Sequence, residues 1–92
     1  MKEKLKQIIY YYGINHQQRK LNEEVFELQE AIIIKENNQF SNVLYNENII
    51  EEIADVMVVL EQIKVHYNLD EEDINSIMEH KINRTLERLK DK

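Results

Sequence analysis

Apolar residues recur along this chain at spacings of three and four, the period of helices that bury one side. Leu5, Ile8, Ile9 and Tyr12 form the first such run and predict a short helix from Lys2 to about Tyr12. Gly13 is placed to end it in a left-handed C-terminal cap, and Asn15 to cap the second helix. Leu21, Val25, Leu28 and Ile32 predict that second helix from about Asn15 to Asn37, with these four as its buried seam. The triplet Ile32-Ile33-Ile34 carries apolar groups right round that helix, so one of its faces is expected to meet another subunit.

Between Glu36 and Asn46 the pattern lapses. Asn37, Asn38, Ser41, Asn42 and Asn46 favour turns and caps, and the stretch reads as an ordered linker tucked in by Phe40, Val43, Leu44 and Tyr45. Ile49, Ile53, Val56, Leu60, Ile63 and Tyr67 then predict a third helix from about Glu47 to Tyr67, capped by Asn46. After the short connection Asn68-Leu69, Asp70 should cap a fourth helix whose first turn holds Glu71, Glu72 and Asp73, the charge that the helix dipole favours there. Its apolar face is Ile74, Met78, Ile82, Leu86 and Leu89.

Composition narrows this further. Ninety-two residues with one glycine and no proline make a single domain, residues 1–92, and argue against an all-β fold, which needs many tight turns. A helical chain of this size has a modest core and often gains stability by oligomerising. The absence of cysteine excludes disulfides, thiolate zinc sites and thiol nucleophiles. No apolar run approaches the roughly 20 residues needed to span a bilayer, and no signal peptide is evident, so the expectation is a cytoplasmic protein with no membrane partner. A net charge of −6 disfavours nucleic-acid binding, though not a phosphate ligand held through metal ions.

Candidate chemistry lies in two acidic sets. Glu24 and Glu27 stand one helical turn apart beside the apolar seam, and so do Glu52 and Asp55 on the third helix. Like charges at that spacing repel by a few tenths of a kcal/mol, roughly, which a cation would offset. One such pair is most often a solvated face; two, on the core flanks of two helices, point towards metal. Magnesium suits them, since it takes oxygen ligands and leaves sites for substrate phosphates. His16, His66 and His80 lack the Glu-x-x-His spacing of di-iron bundles, and His16 alone is a candidate for ligand contact. Tyr10-Tyr11-Tyr12 reads as core or interface. Lys81, Arg84 and Arg88 suit phosphate charge but equally suit surface pairs with Glu79 or Glu87. No glycine-rich phosphate loop or nucleophile–base triad is present.

Lys20-Leu21-Asn22-Glu23-Glu24-Val25-Phe26-Glu27 resembles the EExxE motif of the MazG-like, all-α nucleoside triphosphate pyrophosphohydrolases, and Glu52-Ile53-Ala54-Asp55 resembles their ExxD motif. The resemblance runs from about Gln17 to Arg88. It implies a four-helix bundle assembled as a homodimer or homotetramer. It implies Mg²⁺, with Mn²⁺ able to substitute, held by Glu24, Glu27, Glu52 and Asp55. Glu23 would be a further ligand or would orient the attacking water, making Glu23 and Glu24 the catalytic pair. Gln17 and Lys20 would approach the base or sugar, and Lys81 and Arg84 the phosphates. The reaction implied is hydrolysis of a nucleoside triphosphate to the monophosphate and pyrophosphate. The competing expectation is a non-catalytic helical module that binds a nucleotide or a protein.

Overall fold

A computed structural model of the chain describes residues 1–38 and 43–91, which form four helices and no strand. They are α1 (Lys2–Tyr12), α2 (Ile14–Glu36), α3 (Val43–His66) and α4 (Glu71–Lys90). The all-α expectation holds, and no helix among the described residues is long and apolar enough to cross a membrane.

The helix ends show where local chemistry decided and where it did not. Gly13 has φ 85° and ψ 157°, a positive-φ conformation open to glycine but outside the left-handed region expected. Its N–H donates to the Ile9 carbonyl at 2.8 Å and its own carbonyl accepts from the Gln17 N–H at 3.1 Å. One residue thus closes α1 and opens α2. No linker remains, so Asn15 lies within α2 and caps nothing.

α3 begins at Val43, four residues before Glu47. Asn46 therefore sits inside the helix, where its Oδ1 accepts a hydrogen bond from Lys35 Nζ on α2. The linker is shorter than expected; Phe40, Ser41 and Asn42, and the side chains of Val43 and Leu44, lie outside the described residues. At the far end of α3 an asparagine replaces the missing glycine. Asn68 adopts φ 52°, the Leu69 N–H donates to the Lys64 carbonyl at 2.9 Å, and the Asn68 N–H donates to the Val65 carbonyl at 3.1 Å. This is a Schellman termination, which asparagine tolerates better than any branched residue. Asp70 caps α4 as expected, its Oδ1 accepting from the Glu72 N–H at 2.8 Å.

α1, α2 and α3 pack on one another, with α2 on α3 the main contact. α4 packs against none of them. Its tie to α3 is an ion pair from Lys64, which also bonds Glu61, to Glu71. The four-helix bundle expected of one chain is therefore a packed three-helix unit with a fourth helix standing apart.

The expected seams are also displaced. Leu21, Val25 and Leu28 are only half-buried and Ile32 is exposed; on α3, Ile53 and Leu60 are exposed. Among the described residues the buried apolar ones are Ile9 and Val59, and beside them Gln17, Glu24 and Gln62 are buried. Three helices enclose one line between them. Here that line follows the polar stripe of α2, leaving the apolar stripe at the rim.

Candidate metal centre

α2 and α3 run antiparallel in a fixed register. Gln17 bonds Gln62, Glu24 approaches Asp55, and Glu27 approaches Glu52. Each step along α2 is matched by an equal step back along α3, so residues one or two turns apart on each helix meet in pairs. The acidic residues stand at i and i+3 on both helices, and this register brings the two sets together.

The centre is Glu24, Glu52 and Asp55. One carboxylate oxygen from each lies within 4.8 Å of the others. Glu24 is 5% exposed, and Glu52 and Asp55 are half-buried. Glu24 Oε2 and Glu52 Oε2 are both buried with no hydrogen-bond partner. Burial pushes the Glu52 carboxyl above the ordinary glutamate range, and the charges of Glu27 and Asp55 add to the rise. Burial likewise raises Asp55, helped by the charges of Glu24 and Glu51. Lys20 Nζ, 3.1 Å from a Glu24 oxygen, is the cation at the site; its hydrogen bond to Glu24 and the charge there raise its own pKa. One ammonium does not balance three converging carboxylates and leaves two oxygens orphaned. Native interiors satisfy such groups with protein, water or ions.

The donor set fits magnesium. It is all oxygen and anionic, drawn from two rigid helices, and it opens on one side to a groove. That groove encloses about 400 Å³ and is lined by Tyr12, His16, Gln17, Lys20, Glu24, Asp55 and Gln62, with Ile8, Val58 and Val59 as its apolar part. Its wall is organised by a chain of hydrogen bonds. Gln17 Nε2 donates to Gln62 Oε1 at 2.7 Å, so Gln17 Oε1 is the acceptor for His16 Nδ1, also at 2.7 Å. In this arrangement His16 Nδ1 donates to Gln17 Oε1. The His16 ring stacks on Tyr12, with centroids 4.9 Å apart and planes at 24°.

The other expected site residues divide. Gln17 and Lys20 line the groove, though Gln17 is engaged in holding Gln62 and His16. Glu27 flanks Glu52 without joining the three-carboxylate centre. Glu23 is exposed and lines a neighbouring groove of about 450 Å³ with Asn22, Phe26 and Glu27. Consecutive residues on a helix diverge by about 100°, so Glu23 and Glu24 cannot both face the centre. Lys81 and Arg84 lie on α4, exposed and not brought to the carboxylates by this chain's own packing.

Gln62 is a groove residue that the sequence did not single out; Tyr12, expected with Tyr10 and Tyr11 in a core or interface, is exposed like them and lines the groove. Gln62 carried a signal, since it follows Asp55 by seven residues as Glu24 follows Gln17, placing all four on inward faces. A larger hollow of about 560 Å³ between α1 and the end of α3, lined by Lys6, Gln7, Tyr10 and His66 among others, contains none of the clustered carboxylates.

No protein-family model matches the chain, and neither a curated protein nor a solved structure matches it. The likeness to the MazG-like enzymes rests on the two acidic motifs themselves.

Proposed function

We propose that this chain is a Mg²⁺-dependent nucleoside triphosphate pyrophosphohydrolase, working as a homo-oligomer and releasing the monophosphate and pyrophosphate. The observation that supports this most is the convergence of Glu24, Glu52 and Asp55 around two buried, unpartnered carboxylate oxygens. A structural patch of surface acids would face water and leave no buried orphans.

Glu24, Glu52 and Asp55 would hold the metal, with Glu27 available beside Glu52. Bound there, Mg²⁺ supplies charge neutralisation for a polyphosphate and a lowered pKa for a bound water. The chain's own residues do the rest. Lys20 sits between the carboxylates and the groove, where its ammonium can pair with a phosphate oxygen in place of Glu24. Tyr12 and His16 present a stacked aromatic surface, and the amides of Gln17 and Gln62 fix its orientation, which suits a nucleobase. Ile8, Val58 and Val59 give that end of the groove an apolar lining. Glu23, on the neighbouring flank, has the reach of a water-orienting group only from outside the centre. Water would attack the α-phosphorus as the bond from it to the α–β bridging oxygen breaks; the water oxygen stays on the monophosphate, the bridging oxygen leaves with pyrophosphate, and the released proton passes to solvent.

Phosphorus NMR of the products tests this. The protein with Mg²⁺ and a panel of ribo- and deoxynucleoside triphosphates should yield monophosphate and pyrophosphate from one or a few of them. Orthophosphate plus diphosphate would show that a different bond is cut. A complete lack of turnover would favour the second reading, a helical interaction module, which the many exposed apolar residues also suit.

A further inference from the structure

Lys20 and Glu24 form an unequal pair. Both lie on α2, one turn apart, with the ammonium 3.1 Å from a carboxylate oxygen. The Glu24 side chain is 7% exposed and that of Lys20 is 46% exposed. The anion is thus fixed inside, while the cation reaches it from the groove on a flexible stem. Helix propensity does not favour this contact, because a lysine four residues before a glutamate is the weaker order of such pairs. The buried charge of Glu24 is what draws the ammonium in.

A second demand falls on the same carboxylate. Glu24 converges with Glu52 and Asp55, and its Oε2 is buried with no partner. The other ion pairs among the described residues lie elsewhere, Lys6 with Glu3, Lys64 with Glu61 and Glu71, and Lys90 with Glu87. Lys20 is therefore the cation paired with the centre, and it holds a carboxylate that a divalent ion would also use. Two cations on one carboxylate repel each other and contend for its oxygens. A polyphosphate in the groove removes the conflict. Lys20, Glu24 and Asp55 line that one groove, so the half-exposed stem can carry the ammonium to a phosphate oxygen without any shift of the helix.

We infer that Lys20 couples the metal to the triphosphate: its ammonium competes with a divalent ion for Glu24, and the triphosphate relieves that competition by taking the ammonium onto its own oxygens. The centre then binds a divalent ion weakly by itself and tightly together with the polyphosphate. By linkage, the metal strengthens polyphosphate binding by the same factor. This cooperativity adds to any direct bond between metal and phosphate. The inference rests on the proposed function for its two ligands, not for the hydrolysis.

Electron paramagnetic resonance of Mn²⁺ with the full chain tests it, with and without inorganic triphosphate, whose own chelation is read from a protein-free blank. Inorganic triphosphate is the probe because it carries the phosphate charge whatever base the groove prefers. Lys20→Met should bind Mn²⁺ alone several-fold more tightly than the wild type. The further gain from triphosphate should shrink at least about fivefold in this variant, the lower end of ordinary coupling between two sites. Lys20→Arg keeps the charge but grips a carboxylate with two N–H groups, so it should bind Mn²⁺ alone more weakly than the wild type. Unchanged Mn²⁺ affinity in Lys20→Met overturns the competition. Tightening by one factor with and without triphosphate overturns the coupling and leaves only charge repulsion. If Lys20→Met fails to fold, Lys20→Arg decides alone, and an affinity no lower than the wild type's rejects the inference. No Mn²⁺ bound by any of these proteins removes the metal centre and the inference together. Coupled binding with no turnover of any nucleotide would remove the hydrolase reading and leave the role of Lys20 standing.

Discussion

The α2–α3 interface and α4 invert the usual rule of burial. The first buries Gln17, Glu24 and Gln62; the second leaves Met78, Ile82, Leu86 and Leu89 in water. Both regions are regular helix, so local structure does not explain the difference. Burial in the first follows from register, because α2 and α3 meet along their polar stripes. Exposure in the second follows from the lack of any partner within the chain. Polar groups placed inside at such cost, where most folds put leucine, are what the proposed chemistry rests on. Apolar groups left outside are what a partner would have to cover.

The largest expected effect lies at the buried acids. Glu24→Gln should lower kcat/KM at least about 100-fold, given that outer-shell partners of a metal are by themselves worth 10- to 100-fold. Circular dichroism should stay unchanged. Unaltered turnover in this variant would reduce the acidic centre to a structural curiosity and remove half of the comparison.

Metal should reverse the sign of the acids' effect on stability. At about 100 times its Kd, Mg²⁺ should stabilise the fold by about 2.7 kcal/mol. Scanning calorimetry with and without a chelator reads this, and Glu52→Gln should shrink the gap. An equal shift in the variant would place the metal elsewhere.

The buried amides are next. Gln17→Leu alone strands the buried Gln62 amide and should cost about 1–3 kcal/mol, whereas Gln17→Leu with Gln62→Leu should cost less, since no buried amide is left unpaired and the exposed His16 can turn to water. A double-mutant cycle by urea unfolding separates these. Additive losses would mean that the pair is not a unit.

The pH dependence is smaller, and its sign is fixed by burial. Glu52 and Asp55 hold their protons more tightly in the folded chain than in the unfolded one. Over the carboxylate range the folded state therefore binds more protons, so without metal their contribution declines as pH rises through that range and stays low above it. Melting at a series of pH values should show this decline, and saturating Mg²⁺ should flatten it. The smallest effect belongs to Asn68, whose left-handed backbone should accept Asn68→Gly within a few tenths of a kcal/mol, whereas Asn68→Val should cost about 1 kcal/mol or more.

Much of this molecule is legible from period and end-signals. The 3.6-residue repeat locates all four helices, and Asp70, with acids in the turn after it, marks the start of α4 because a cap is a contact between near neighbours. The start of α3 is not legible at Asn46, since a capping residue and an interior asparagine look alike until Lys35 is seen to reach it. The carboxylate spacing is legible too, for i and i+3 on a helix share a face wherever the helix goes.

What the sequence alone determined, then, is helix content, most of the helix limits and the pairing of acids within each helix, because these depend on residues a turn apart. Tertiary structure alone decided which stripe was enclosed. The offset between α2 and α3 joined Glu24 to Asp55 and set Gln62 on Gln17, while α4 met no helix of its own chain. Those outcomes depend on contacts between residues tens of positions apart, and a rotation of one helix by a single residue would have exchanged the apolar stripe for the acidic one.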